Sequence, residues 1–251
     1  SNMLINMVLG IVCIVILIIT KNMVFSFLPK GDKKIYQKWI KIGLFSGLQT
    51  FIDNIFYALM IGKMVNVVLE QGNYWVANNF IWGWLLIPIT ALGEVIRRDC
   101  QSGYQNLNKN NYYILTMITI IIWFISVPLW KWFYRDLQKL SNVKEIFTIT
   151  IKLVLFYIAY ALYNIPDNIF IGLGKTKYNA FNSVIINFIY YGCFFLLYKT
   201  HRIKMTMDTI IIMFGLGMVF HFILSYLEEK HLKRQYNRNN SKMIIDKTNN
   251  V

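Results

Sequence analysis

The sequence predicts an all-α membrane protein, a polytopic bundle of about seven transmembrane helices. Three observations carry that expectation. The 251 residues are 56% hydrophobic and only 15% charged, against roughly 25% charged in an ordinary soluble domain. Mean hydropathy is +0.44. Apolar runs of about 20 residues recur along the chain, the length a helix rising ~1.5 Å per residue needs to cross ~30 Å of hydrocarbon.

The elements follow in order. The first span is Met3–Thr20. It lacks a basic leader and a small-residue cleavage site, so it does not read as a signal peptide. A linker, Lys21–Lys41, carries six lysines and a Pro29-Lys30-Gly31-Asp32 break. Its second half, Lys33–Ile42, fits a short surface helix anchored by Trp39. The second span is Gly43–Met64, followed by a short loop with Glu70. The third is Tyr74–Ile96, then a polar loop, Arg97–Asn111. The fourth is Tyr112–Phe133 and the fifth Ile146–Gly172. A tight turn leads to the sixth, Tyr178–Tyr198, and the seventh is Met207–Leu227. The tail, 228–251, is basic, rich in Asn and Lys, and expected to be disordered beyond about Arg238.

The net charge of +14 does not indicate nucleic acid. Lys and Arg sit between and after the apolar runs, as the positive-inside effect requires. With the first linker placed inside, the inner segments hold 17 basic residues and the outer ones eight. The expected setting is therefore the plasma membrane, multi-pass, with a cytoplasmic C-terminus. The N-terminus then lies outside. An odd span count that starts outside without a signal suggests sequence missing upstream. Cys13, Cys100 and Cys193 are too scattered for a disulfide framework or metal site. No enzyme signature such as H-E-x-x-H or G-x-S-x-G is present, and no enzymatic activity or cofactor is expected.

Functional candidates are the polar groups inside the spans. Asp53 sits midway along Gly43–Met64, where a charge costs at least a few kcal/mol and should face water or a partner. At helical spacing Gln49, Asp53 and Tyr57 share a face, with Thr50 alongside. Asp167 lies in YNIPDNIF. Pro166 removes a backbone donor there and frees the Leu162 carbonyl, with Tyr163 and Asn164 one turn away. A kinked helix bearing a carboxylate suits a cation site. The alternative places Asp167 near the inner helix end, where charge is cheap. Glu94 fits an interfacial ion pair with Arg97 or Arg98. Asn78 and Asn79 should face protein or water. Trp75 suits an interfacial belt and Trp82 a cavity wall. Asn182, Asn187 and Tyr190 give the sixth span a semi-polar face. His221 fits a packed or hydrogen-bonded helix residue ahead of a proton relay. GLGKT at 172–176 fails the phosphate-loop pattern, because Ile169 stands where Gly is required; it reads as a glycine-terminated helix end. Gly43 and Gly47 form a G-x-x-x-G pair suited to close helix packing.

GLFSGLQTFIDNIFYALMIG, the WVANNF…IPITALGE helix and the helix ending GLGKTKYNAF together resemble the second six-helix half of the multidrug and toxic compound extrusion (MATE) transporters. The resemblance covers about Lys38 to Leu227. It implies that residues 1–20 close a first lobe that is absent here, that 21–41 link the lobes inside the cell, that 42–227 form a six-helix lobe, and that 228–251 are a cytoplasmic tail. It implies export of small organic, often cationic or amphipathic compounds coupled to Na⁺ or H⁺. Asp53 matches the family's acidic position in its seventh helix, often Glu, while Asp167 lies closer to the glycine turn than the family's carboxylate. On this reading Asp53 and Asp167 bind the coupling cation, and Gln49, Tyr57, Asn78, Asn79, Trp82 and Asn164 line or support the substrate cavity. The partners are the lipid bilayer, a small organic substrate, and a missing N-terminal lobe or second copy. A lipid-linked saccharide flippase of the same superfamily and a non-transporting membrane scaffold are the alternatives.

Overall fold

The computed structural model describes residues 2–20, 33–58, 65, 66, 68 and 71–248. It is helical throughout, with no strand among the described residues. Two units are distinguished, Ser1–Ile40 and Lys41–Val251. The helices are α1 (Asn2–Ile19), α2 (Lys33–Phe56), α3 (Gln71–Phe80), α4 (Ile87–Asp99), α5 (Lys109–Trp132), α6 (Val143–Gly172), α7 (Lys177–Val184), α8 (Gly192–Lys199) and α9 (Met207–Thr248). Three π-helical segments join or extend them: Ile81–Leu85, Phe133–Leu137 and Ile185–Tyr191.

Apart from the bend at Leu86 and the turn at Thr20, helix occupies the described part of every expected span. By length and apolarity, four helical stretches qualify as membrane-crossing: Lys109–Leu137, Val143–Gly172, Lys177–Lys199 and Met207–Arg238. A fifth is the pair Gly72–Leu85 and Ile87–Ser102, bent by 49°. The expected count of seven therefore becomes four or five among the described residues. The bend has a local cause. Pro88 sits in the first turn of α4 and has no N–H to donate back across the junction, and just before it the π segment closes with Leu86 N–H on Ile81 O at 2.9 Å.

Three boundaries differ from expectation. Lys33–Ile42 is not a separate surface helix, because α2 runs without interruption from Lys33 to Phe56; no Gly or Pro before Gly43 interrupts its hydrogen-bond ladder. The Arg97–Asn111 loop contains the last turn of α4 and two short 3₁₀ turns. The tail is not disordered past Arg238; α9 continues to Thr248, where no glycine or proline stops it. The far end of the second span beyond 58, the Pro29–Asp32 break and the Glu70 loop lie outside the described residues.

Burial explains why the bundle forms. On α5, Ile114, Leu115, Ile118, Ile121, Ile122 and Ile125 are exposed, while Tyr112, Thr116, Ile120, Trp123 and Trp130 are buried. The exposed stripe is as apolar as the buried one, the signature of a helix whose solvent is lipid. α6 is the hub, giving its inner face to α3, α4, α5 and α9. One core gathers Tyr74, Ile81, Ile89, Trp123, Leu153 and Tyr157. A smaller one at one end gathers Ile96, Cys100, Ile169, Phe170 and Leu232. There Lys109 at the start of α5 pairs with Glu229 of α9 at 2.6 Å and lies over the Tyr104 ring.

The GLGKT turn terminates α6 as expected. Gly174 has φ +67°, Lys175 N–H reaches Phe170 O at 2.7 Å and Gly174 N–H reaches Ile171 O at 2.9 Å. This is the Schellman pattern, in which a left-handed residue closes the last carbonyls. The following Thr176 hydroxyl donates to Ile42 O at 3.2 Å and so pins the turn to α2. The G-x-x-x-G expectation fails. No described atom lies within 4 Å of a Cβ built at Gly43 or Gly47, because both stand on the exposed side of α2. Close packing occurs instead at Gly172, where an added Cβ would lie 2.7 Å from Cys100 Cβ and 3.0 Å from Arg97 Cα.

Candidate functional site

Between α2, α4, α6, α7 and α9 lies a cavity of about 360 Å³. Its polar residues arrive as helical stripes. α2 supplies Gln49 and Asp53, and the π turn that ends it Tyr57; α6 supplies Asn164, Asp167 and Asn168; α7 and its π extension supply Asn179, Ser183 and Asn187; α9 supplies His221. Each set recurs at three- and four-residue spacing, which stacks side chains on one face. Aromatic walls come from Trp82, Tyr160, Tyr163, Tyr191 and Phe214.

Both candidate carboxylates reach this cavity, by different means. Asp53 Oδ1 accepts from Ser183 Oγ at 2.6 Å and from Asn187 Nδ2 at 2.7 Å. Asn187 also donates to Ser183 O at 2.9 Å, which ties the pair together one turn apart. Asp167 is buried. Its Oδ1 accepts from Ser225 Oγ at 2.7 Å, and its Oδ2 lies 3.0 Å from His221 Nε2. Asp167 lies near the end of α6 at Gly172, yet it is not open to solvent there: α9 covers it, and polar side chains surround its carboxylate. His221 is the hydrogen-bonded helix residue expected, and its ring stacks on Tyr163 at 4.1 Å.

A second polar layer stands behind Asp167. Asn182 donates to Ser225 Oγ at 3.1 Å and to Glu228 Oε2 at 2.8 Å. Asn179 donates to the Asp167 backbone carbonyl at 3.1 Å. Across the cavity, Arg97 Nε donates to Asn168 Oδ1 at 2.6 Å and its Nη1 to Glu94 Oε1 at 2.7 Å. The expected interfacial pair thus forms with Arg97, while Arg98 turns to Asp99.

The remaining candidates divide. Gln49, Tyr57, Trp82 and Asn164 line the cavity. Asn164 commits its amide to the Ile89 carbonyl at 3.0 Å. Asn78 does not line the cavity. It is buried behind it, accepting from Tyr157 OH at 2.8 Å and donating to Tyr57 OH at 3.5 Å, while Trp82 donates to the same Tyr157 OH at 2.8 Å. Asn79 is exposed and outside the cavity; as the next residue it points ~100° away, so only one of the paired amides can face inward. Trp75 is half-buried against Tyr57 and Tyr74 as well as near a helix start.

Sequence reading overlooked Asn168, Asn179, Ser183, Ser225, Arg97 and Glu228 as members of this site. A signal for three of them, Asn168, Ser225 and Glu228, existed. Positions 221, 225 and 228 of α9, and 164, 167 and 168 of α6, are polar stripes at helical spacing. Comparison of the chain with protein-family models, with curated proteins and with solved structures finds no match.

Proposed function

We propose that this chain is one lobe of a cation-coupled exporter of small organic, cationic or amphipathic compounds. The observation that carries the reading is the meeting of Asp53 and Asp167, from different helices, on one aromatic-walled cavity inside a membrane bundle. Carboxylates supply the charge complement for a cation, and Trp82, Tyr160 and Tyr163 supply the ring faces that bind organic cations once water is excluded. A charge of this kind inside a membrane protein marks an ion or substrate path far more often than a structural need. The opposing lobe would come from a longer chain or a second copy, and access would alternate by rocking about the cavity. The coupling ion would be H⁺ or Na⁺, and the C-terminus would be cytoplasmic.

The test is gradient-driven movement of ethidium in everted vesicles containing the chain in its complete carrier. Ethidium uptake should depend on an imposed H⁺ or Na⁺ gradient and collapse when that gradient is discharged. Uptake indifferent to both gradients would refute ion coupling. Arg97 on the cavity wall supports a second reading, a flippase for a lipid-linked saccharide whose phosphates would need cations. Its guanidinium is already engaged by Asn168 and Glu94, which favours the first reading. Loss of lipid-linked sugar translocation on Arg97→Ala, with ethidium unaffected, would reverse that preference.

A further inference from the structure

The two cavity carboxylates are bonded differently. Asp167 has both oxygens occupied, Oδ1 by the Ser225 hydroxyl at 2.7 Å and Oδ2 by His221 at 3.0 Å. Its backbone carbonyl is also taken, by Asn179. The Ser225 bond has a fixed direction. Asn182 directs its Nδ2 at Ser225 Oγ and at Glu228, so Ser225 is an acceptor from Asn182 and must turn its own proton to Asp167. His221 is in turn held flat against Tyr163. Asp167 is thus locked by α7 and α9 together.

Asp53 is open. Ser183 and Asn187 both bind Oδ1, at 2.6 and 2.7 Å. No described side chain approaches Oδ2 closely enough to hydrogen-bond or pair with it. Asp53 is half-buried where Asp167 is buried. Two donors on one oxygen orient the carboxylate and leave the other oxygen's lone pairs for something else.

From this asymmetry we propose that Asp53 is the carboxylate that meets the ligand's positive charge, through Oδ2, while Asp167 is a closed positioning carboxylate that joins α6 to α9 through Ser225 and His221, with Asn182 and Glu228 behind. The inference rests on the transport reading and divides the labour within that site. An incoming organic cation then finds one free oxygen near Gln49, Tyr57 and the aromatic wall. The locked Asp167 sets the shape of the cavity and the field at its far side.

The test is covalent labelling with dicyclohexylcarbodiimide, an apolar reagent that converts an accessible membrane carboxylic acid into a stable N-acylurea. The carboxyl oxygen adds to the carbodiimide carbon, the acid proton moves to nitrogen, and the acyl group then migrates from oxygen to nitrogen with nothing lost. Labelled sites are read by mass spectrometry of the chain in native membranes. Asp53 should label at least tenfold faster than Asp167 or Glu228, and Asp53→Asn should abolish the main adduct. Asp167→Asn should leave the Asp53 adduct intact and lower thermal stability, as should Ser225→Ala, a change at a residue outside the cavity wall. Equal or faster labelling of Asp167, or no labelling at Asp53, would overturn the proposal. Ethidium protection is scored separately. Protection at Asp53 would support ligand binding there; its absence would count against the transport reading, while the labelling ratio still decides which carboxylate is open.

Discussion

Replacing Asp53 by asparagine isolates its charge. The amide is nearly isosteric, and its oxygen can keep the two bonds from Ser183 and Asn187 at 2.6 and 2.7 Å. Its nitrogen takes the place of Oδ2, which has no described partner to repel it. Hydrogen bonds to a neutral acceptor are weaker than to a charged one by about 1 kcal/mol each, but the neutral side chain also costs less to bury. Folded abundance should therefore stay near that of the parent. Binding should not. A cation about 5 Å from a carboxylate gains roughly 3 kcal/mol at an effective dielectric of about 20, and the amide dipole returns part of that. The expected loss is about 1.5–3 kcal/mol, or roughly 10- to 100-fold in affinity for ethidium or tetraphenylphosphonium. Fluorescence titration and equilibrium dialysis on purified protein, at matched folded fraction, measure it. Asp53→Glu should keep binding within about the same order as the parent, since the charge remains. Affinity for both cations within threefold of the parent in Asp53→Asn would show that the carboxylate only holds α2 to α7.

Other substitutions probe the frame around the site. Lys109→Ala leaves the buried Glu229 carboxylate without its cation and should destabilise the protein by about 2–4 kcal/mol; the double change Lys109→Met with Glu229→Gln should recover most of the loss in a thermal melt. Gly174→Ala forces a Cβ onto a residue at φ +67° and should cost about 1–2 kcal/mol, seen as a drop of a few degrees in Tm. Gly172→Ala meets the backbone of Arg97 at 3.0 Å, so α4 and α6 must separate, at about 1–3 kcal/mol; because Arg97 lines the cavity, ligand affinity should fall with stability rather than independently of it. Membrane sidedness is checked with single cysteines in a cysteine-free background. Gln101→Cys should react with an impermeant maleimide only after cells are opened, and Gln138→Cys in intact cells; the reverse pattern would invert the topology.

What the sequence discloses depends on which physical signal each feature leaves. The spans are legible because lipid-facing and core-facing residues are both apolar, as on α5, and so long a run of apolar side chains suits few settings besides a bilayer. Asp53 is legible because a carboxylate at the middle of such a run has no inexpensive structural use. The helix end at Gly174 is legible from its glycines. The partners of Asp53 are not, since Ser183 and Asn187 lie 130 and 134 residues away and small polar residues are common in helices for local reasons. The choice between Asn78 and Asn79 is equally closed to sequence, because both are amides and only the helix phase separates them. Arg97 misleads for another reason. It sits among interfacial charges and does form the interfacial pair with Glu94, yet its other nitrogen reaches inward to Asn168. A long side chain serves two environments, and its position in sequence reports only one.

The π segment Ile185–Tyr191 shows how far local irregularity shapes the site. Ser183, Asn187 and Tyr191 all line the cavity, at a strict spacing of four. In an α-helix four residues turn ~400°, so a four-residue repeat drifts by about 40° at each step. Over two steps Tyr191 would swing well to the side of Ser183. A π segment has wider turns, with each bond closing onto the fifth residue back, and its larger number of residues per turn offsets much of that drift. The wider turn keeps Tyr191 closer to the face that presents the donor pair to Asp53. Trp82 likewise lies in the Ile81–Leu85 π segment, lines the cavity, and packs edge-on against the Tyr157 and Tyr160 rings. Two of the three π segments, Ile81–Leu85 and Ile185–Tyr191, thus carry cavity-lining side chains, whereas Phe133–Leu137 carries none, so the irregular backbone coincides with the site on two of its walls.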